Sequence, residues 1–184
     1  MPPTSDRLVW IDLEMTGLDP LRCVIIEIAV IVTDAELKLV AEGPQIAIAT
    51  SEEEMRSLSD WSKDTFTKSG LLERCRNSFV SRAEAEAKTL AFLAEHVAPG
   101  SSPLCGNSVW NDRQFLYHGM RKLHDYFTHR NIDVSTIKEV VRRWHPKEWA
   151  PPQKKNLHDA LADIRESVEE LRYYRDRFIA PRPS

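Results

Sequence analysis

Two acidic residues near the start of the chain, Asp12 and Glu14, are spaced so that both could bind one ligand. They belong to the segment LVWIDLE (8–14), whose odd-numbered positions from 9 to 13 are all apolar. This period of two predicts a β-strand with both carboxylates on one face. Like charges so close are unfavourable unless a cation lies between them, and hard divalent cations such as Mg²⁺ prefer oxygen ligands. A D-x-E pair by itself still fits an exposed strand face with ordinary acids better than a metal site.

Three further residues could complete such a site. Asp112 follows a short apolar stretch, at the kind of strand end where open α/β sheets place their sites. An acid there is also common simply because it interacts favourably with a helix dipole. His158 and Asp163 lie in NLHDALADIRES, at the predicted start of the last helix. Taken alone, they are better explained as a surface histidine and a solvated aspartate.

As a set, these five residues indicate one chemistry. Two metal ions about 3.5–4 Å apart can stabilise both the attacking and the leaving oxygen of a phosphoryl transfer. Such a site needs several carboxylates from separate elements and a base for the attacking water, and histidine titrates near neutrality. The set therefore predicts metal-dependent hydrolysis of a phosphate ester.

The first third of the chain predicts an antiparallel meander. After the strand at 8–14, TGLDP is a turn, and VIIEIAVIVTD (24–34) is a buried strand rich in β-branched residues. LKLVAEG and QIAIA then form a third strand or a broken pair of strands.

Helices alternate with short strands in the rest of the chain. Ser81 and Glu84 have the spacing of a capping box at the start of a long helix. PLCGN and IDVST are predicted short strands, followed by helices over about 111–127 and over IKEVVRRW. The last helix, about 159–177, has an apolar stripe, and PPQKK before it is a predicted flexible insertion. This order predicts a mixed sheet flanked by helices. The stripe consists of Leu161, Ile164, Val168 and Leu171.

Length and composition limit the alternatives. The 184 residues predict one domain over 1–184, and the N-terminus lacks the layout of a secretory signal. No segment approaches the roughly 18–20 apolar residues of a membrane span. Three widely spaced cysteines predict neither a disulfide framework nor a zinc site, which favours a reducing cytoplasm. A net charge of −3 without a strongly basic run predicts that any nucleic-acid ligand is held over a few nucleotides only.

Several motifs, in order and at compatible spacings, closely resemble the oligoribonucleases, the small-RNA exonucleases of the DEDDh group. The resemblance covers about residues 8–178. It implies a ribonuclease H-like fold with a mixed five-stranded sheet, 3′→5′ hydrolysis of very short RNA such as diribonucleotides to 5′-mononucleotides, and a homodimer. The motifs are WIDLEMTGLDP, AEGP, CGNS with the helix of Asp112, DVST, and ADIRES with His158 upstream.

The resemblance also implies a role for each residue of the predicted site. Asp12, Glu14, Asp112 and Asp163 would bind two divalent ions, Mg²⁺ or Mn²⁺, with Asp12 bridging both. His158 would be the general base.

Residues outside the metal site resemble the family's substrate contacts. Leu18 resembles the residue that inserts between two bases, and Trp61 the aromatic that stacks on a base, although Trp61 taken alone predicts a core aromatic. Ser108, Arg130 and Ser135 resemble a cap on the 5′-phosphate, which only a very short substrate can reach.

Two positions depart from the family pattern. His129 replaces a tyrosine that the partner subunit contributes in relatives, and it could still donate a hydrogen bond to phosphate. Phe66 replaces a histidine and could only stack or pack. The alternatives are an exonuclease for DNA ends, with the same chemistry and a different cleft, and a non-catalytic binding module, which usually lacks some metal carboxylates.

Overall fold

The computed structural model describes residues 6–147, 150–151 and 159–179, and its centre is a five-stranded mixed sheet. The strand order is β3-β2-β1-β4-β5. The first three strands form an antiparallel meander, β4 runs parallel to β1, and β5 runs parallel to β4. Both the mixed sheet and the meander expected from the sequence are therefore confirmed. The strands are β1 Leu8–Met15, β2 Ile25–Thr33, β3 Leu39–Ala47, β4 Leu104–Gly106 and β5 Asn131–Asp133.

Helices cover both faces of this sheet. One core cluster joins the sheet to α4, α5 and α6, and a second joins it to α7 and α8. No helix in the described part of the chain combines the length and apolar composition that crossing a membrane requires. The helices are α1 Glu52–Met55, α2 Asp60–Lys68, α3 Leu71–Asn77, α4 Arg82–His96, α5 Val109–Gly119, α6 Arg121–His124, α7 Val134–Trp144 and α8 Ala160–Phe178.

Strand β1 lies in the middle of the sheet and contributes to both cores. Its odd-numbered residues Val9, Ile11 and Leu13 pack in the cluster with α4 and α5. Trp10 is fully buried on the opposite face, in the cluster with α7 and α8. Because side chains alternate along a strand, Asp12 and Glu14 share the face of Trp10 and point toward α8.

The third predicted strand is a single strand with a bulge. Gly43 and Pro44 together lie opposite Val30, because Ala29 pairs with Gln45 while Ile31 pairs with Glu42. β3 is an edge strand, where proline is tolerated because its missing N–H removes no central ladder bond. The glycine is needed for space, since an added Cβ would lie 2.6 Å from Cε1 of Phe92.

The predicted helix over about 111–127 is wrong as one element. It is divided into α5 and α6 at Met120, whose φ of −143° and ψ of 67° are not helical. The break buries the Met120 side chain in the core, and the carboxylate of Glu86 then accepts a hydrogen bond from the Leu123 N–H at 3.0 Å. A tertiary hydrogen bond and core packing therefore outweigh the local helical pattern.

Two other differences from the expected elements are local. The strand predicted over IDVST ends at Asp133, because that side chain accepts a hydrogen bond from the Ser135 N–H and caps α7. The sequence analysis also missed α1, α2 and α3. A capping box formed by Ser51 and Glu54 begins the first of these helices, and it was a readable signal.

Replacing Gly43 with alanine should destabilise the protein. The added methyl group cannot fit between Val30 and Phe92 without moving one of them, so we expect a loss of about 1–3 kcal/mol in the free energy of unfolding. Gly119→Ala is the matched control, because its Cβ would lie 3.4 Å from Ile25 Cδ1, an ordinary contact. Denaturant unfolding of both variants measures the difference. Equal stability of the two variants would contradict the close packing at the bulge.

Candidate active site

Three carboxylates from two elements meet at the carboxyl end of β1. Asp12 and Glu14 from the strand and Asp163 from the first turn of α8 each present an oxygen, and these oxygens lie within 4.8 Å of one another. All three residues are half-buried. The structure thus brings together three of the four acidic residues predicted to bind metal.

The fourth, Asp112, lies beside this group and contacts the same strand. Its Oδ1 accepts a hydrogen bond of 3.0 Å from the backbone N–H of Leu13, the residue between Asp12 and Glu14. The side chain is buried, and burial raises its pKa to about 7, with a smaller contribution from the charge of Asp133. Asp112 therefore joins α5 to the edge of the site while holding a carboxyl group close to the other three.

The carboxylate cluster concentrates negative charge. Burial, together with the charges of Asp163, Glu27, Asp112 and Asp159, raises the pKa of Glu14 to about 8. Glu27 is fully buried and pairs directly with Glu14 across the β1–β2 ladder. Arg74 compensates Glu27 on one side through a contact of 2.8 Å to Oε1, and Oε2 has no hydrogen-bond partner.

These donors fit a divalent cation. Mg²⁺ and similar hard ions take carboxylate oxygens, and a bound cation would remove the mutual repulsion that raises the pKa of Glu14. The arrangement supports dependence on a divalent metal.

Asp163 is positioned by the residue that begins its helix. Asp159 caps α8, accepting a hydrogen bond of 3.0 Å from the Ala162 N–H. Its other oxygen accepts a hydrogen bond of 3.0 Å from Nε2 of Gln45, on strand β3. The sequence analysis did not identify either positioning residue. The aspartate before the helix was a readable cap signal, whereas nothing in the sequence pointed to Gln45.

Two of the residues predicted to bind phosphate lie together where β4 and β5 end. The hydroxyl groups of Ser108 and Ser135 are 3.0 Å apart, and the Ser108 N–H donates to both Ser135 Oγ and Asp133 Oδ1 at 2.9 Å. Ser108 has a φ of 51°, which is uncommon for a residue other than glycine, and these hydrogen bonds hold it there. Its hydroxyl does not cap α5.

The other two predicted phosphate contacts, His129 and Arg130, immediately precede β5, whereas the serine pair follows the ends of β4 and β5. Both are exposed and line a groove of about 690 Å³. Arg113 of α5 holds this segment by donating to the carbonyl oxygens of Thr128 and Arg130 at 2.9 and 3.0 Å.

Two apolar side chains predicted to contact bases are exposed. Leu18, in the turn after β1, is 80% exposed, and Trp61, on α2, is 63% exposed. The alternative interpretation of Trp61 as a core aromatic is therefore wrong. Phe66 is buried with Met55 and Leu58, so it packs in the core. His158, the predicted base, and most of the predicted PPQKK insertion lie outside the described residues.

Comparisons with known proteins agree with this geometry. The RNase_T family, described as Exonuclease, matches residues 9–171. An oligoribonuclease from Shewanella oneidensis is 52% identical over 177 residues, covering 96% of this chain and 98% of that protein. One from Pseudomonas putida is 56% identical over 173 residues, covering 94% of this chain and 96% of that protein.

Solved structures share the fold at much lower identity. Exonuclease I from Methylocaldum szegediense has a TM-score of 0.70 and 17% identity, covering 94% of this chain and 41% of that one. A zinc-bound complex of E. coli exonuclease I with single-stranded DNA has a TM-score of 0.68 and 14% identity, covering 95% of this chain and 41% of that one. This likeness supports the ribonuclease H-like fold expected from the sequence, and this chain spans about two fifths of each exonuclease I.

The raised pKa of Glu14 predicts a pH-dependent stability difference. As pH rises from 4.5, the ordinary value, to about 8, the folded protein keeps a proton that the unfolded chain has already released. The folded state therefore loses stability over this window. Glu14→Gln removes this loss of stability. Without metal, the melting temperature of the variant should therefore exceed that of the wild type at pH 8–9, and the difference should disappear near pH 4.5.

The measurement is thermal unfolding in chelator across this pH range, with Glu95→Gln, a substitution at an exposed position, as control. A difference between Glu14→Gln and the wild type that stays constant with pH would refute the electrostatic origin. Added Mg²⁺ should stabilise the wild type more than the variant, because a ligand stabilises the state that binds it.

Proposed function

The chain belongs to the oligoribonuclease family of RNase_T exonucleases, and from this premise we infer that it is a 3′→5′ exoribonuclease that hydrolyses short oligoribonucleotides. The observation that carries this inference is the carboxylate cluster of Asp12, Glu14 and Asp163 at the carboxyl end of β1, in a chain more than half identical to oligoribonucleases. We propose that diribonucleotides are the preferred substrates.

We assign the metal-binding role to four carboxylates. Asp12, Glu14, Asp112 and Asp163 would hold two divalent ions, Mg²⁺ or Mn²⁺, with Asp12 touching both. The carboxylate oxygens of Asp12, Glu14 and Asp163 lie within 4.8 Å of one another. Asp112 is adjacent to them because it accepts a hydrogen bond from the Leu13 N–H. When bound, such ions polarise the phosphoryl oxygen and stabilise the attacking and leaving oxygens.

His158 completes the proposed reaction as the general base. It would take a proton from the attacking water, whose oxygen forms a bond to the terminal phosphorus as the bond to the 3′ oxygen of the penultimate nucleotide breaks. The products are a 5′-mononucleotide and a chain shortened by one residue. In the sequence, His158 directly precedes Asp159, which caps α8, the helix whose first turn carries Asp163.

The proposed substrate contacts limit length. Leu18 and Trp61 are exposed apolar side chains that could contact bases, and stacking on an aromatic is tolerant of sequence. Ser108 and Ser135 would form the cap on the 5′-phosphate. The Ser108 hydroxyl would turn to donate to a phosphate oxygen at the start of α5, where helix N–H groups favour an anion, while Ser135 accepts from the Ser108 N–H and holds that residue in place. The 5′-phosphate of a longer RNA strand would not lie at these serines.

We further propose a homodimer. His129 and Arg130 are exposed on a segment fixed by Arg113 at the start of β5, whereas the serine pair follows the ends of β4 and β5. In a homodimer His129 would reach the substrate held by the other protomer, in the place of the tyrosine of relatives.

Incubation with a 5′-phosphorylated diribonucleotide and with a 20-nucleotide RNA tests the proposed substrate. We expect rapid release of mononucleotides from the dimer with Mg²⁺, little change in the longer RNA, and no reaction with chelator. A matched DNA dinucleotide and DNA 20-mer test the competing activity on DNA ends. Efficient digestion of either 20-mer would contradict the length limit, and inactivity of folded, metal-loaded protein would indicate a binding module.

Asp112→Asn should abolish hydrolysis without unfolding the protein. The amide oxygen can still accept the hydrogen bond from the Leu13 N–H, so the substitution removes the charge but keeps the structural contact. We expect a loss of at least about 10³-fold in kcat, because the lost charge weakens binding of the metal ions that stabilise the transition state. Asp60→Asn, at an exposed position on α2, is the control. Activity near that of the wild type would remove Asp112 from the metal site.

A further inference from the structure

Asn107, directly after β4, uses its side-chain amide to connect two helices. Its Oδ1 accepts a hydrogen bond of 3.0 Å from the Ser135 hydroxyl on α7. Its Nδ2 donates to Ser167 Oγ at 2.7 Å and to Glu170 Oε2 at 3.4 Å, both on α8. Donor and acceptor are therefore both engaged, and the orientation of the amide is determined by its partners.

The partners on α8 are themselves firmly held. Ser167 is buried and donates to the carbonyl oxygen of Asp163 at 2.8 Å. Glu170 is also buried, and its Oε1 accepts from the Tyr174 hydroxyl at 3.0 Å and lies 3.3 Å from Nζ of Lys138. These contacts make α8 a fixed support for Asn107.

The effect of Asn107 on the serine pair follows from the direction of the hydrogen bonds. Because Ser135 gives its proton to Asn107, its oxygen is oriented to accept from the Ser108 N–H. That bond helps to keep Ser108 in its unusual left-handed conformation, with its hydroxyl exposed. Without the Asn107 amide, the Ser135 hydroxyl would lose its acceptor and could rotate. Ser108 would then lose the hydrogen bond that helps to fix its backbone conformation.

A continuous series of hydrogen bonds thus joins Ser108 and Ser135 to Asn107, Ser167 and the backbone of Asp163. In the proposed function, one end of this series meets the 5′-phosphate and the other end reaches the backbone of Asp163, one of the proposed metal ligands. The separation of these two points determines which substrate length can occupy both at once.

We propose that Asn107 is a positioning residue that maintains the 5′-phosphate contact and thereby the preference for very short substrates. The proposal rests on the proposed function. It concerns only recognition of the 5′-phosphate, because Asn107 is connected to Asp163 only indirectly, through Ser167 and the helix backbone.

The test compares Asn107→Ala with the wild type on a diribonucleotide with and without a 5′-phosphate. We expect the KM for the phosphorylated dimer to rise about tenfold, the size expected for losing an ordered hydrogen bond. The kcat and the KM for the unphosphorylated dimer should stay within about twofold of wild type. A general structural defect would instead affect both substrates equally.

Two further variants keep the test decisive. Tyr174→Phe removes a hydrogen bond to Glu170 but leaves Asn107 in place, so it should lower thermal stability and preserve the phosphate preference. Ser167→Ala removes one support of Asn107, and it should weaken the preference partially even if Asn107→Ala does not fold.

The outcomes separate this proposal from the proposed function. A wild type that prefers the phosphorylated dimer, together with an Asn107→Ala variant and a Ser167→Ala variant that keep that preference, would overturn the role of Asn107. A wild type that hydrolyses neither dimer would overturn the proposed function. Mg²⁺ binding to Asn107→Ala, measured by calorimetry, should match wild type, because no carboxylate is changed.

Discussion

Repulsion among closely spaced carboxylates is the constraint on which the rest of the structure depends. Asp12, Glu14 and Asp163 present oxygens within 4.8 Å, and the charge of Glu27 adds to theirs from the neighbouring strand. Without a cation such a group opposes folding, because burial and like charges both disfavour the ionised form. The surrounding fold must therefore hold these residues together despite a local loss of folding stability. A divalent cation bound among them would relieve the repulsion, which favours cation binding.

The sheet provides the necessary rigidity. β1 is central and buried on both faces, so Asp12 and Glu14 lie on a strand that cannot shift its register without exposing Val9, Ile11 and Leu13. The parallel strands β4 and β5 end at the same edge, which places Ser108 close to the carboxylates. The carboxylate cluster and the serines proposed to bind phosphate thus follow strands that end on the same side of one sheet.

Helix α8 is held against the sheet by polar side-chain contacts as well as by its apolar face. Two polar contacts define its position. Asp159 binds Gln45 of β3 at the start of the helix, and Ser167 and Glu170, about two and three turns later, bind Asn107 after β4. Asp163 lies between these attachments, so the helix backbone that carries it is anchored on both sides.

The sequence by itself determined the mixed sheet, the long helices α4 and α8, and the chemical class. Alternation along 8–14, the apolar stripe of the last helix and the Ser81 capping box depend on local periodicity, and each is present in the structure. Tertiary structure alone decided the break at Met120, the burial of Phe66 and the exposure of Trp61, because each depends on what the chain packs against. Tertiary structure also decided which residues position the site. No local sequence pattern reveals this role for Gln45 and Asn107, because it depends on hydrogen bonds to partners more than 25 residues away, Asp159 and Ser135 among them.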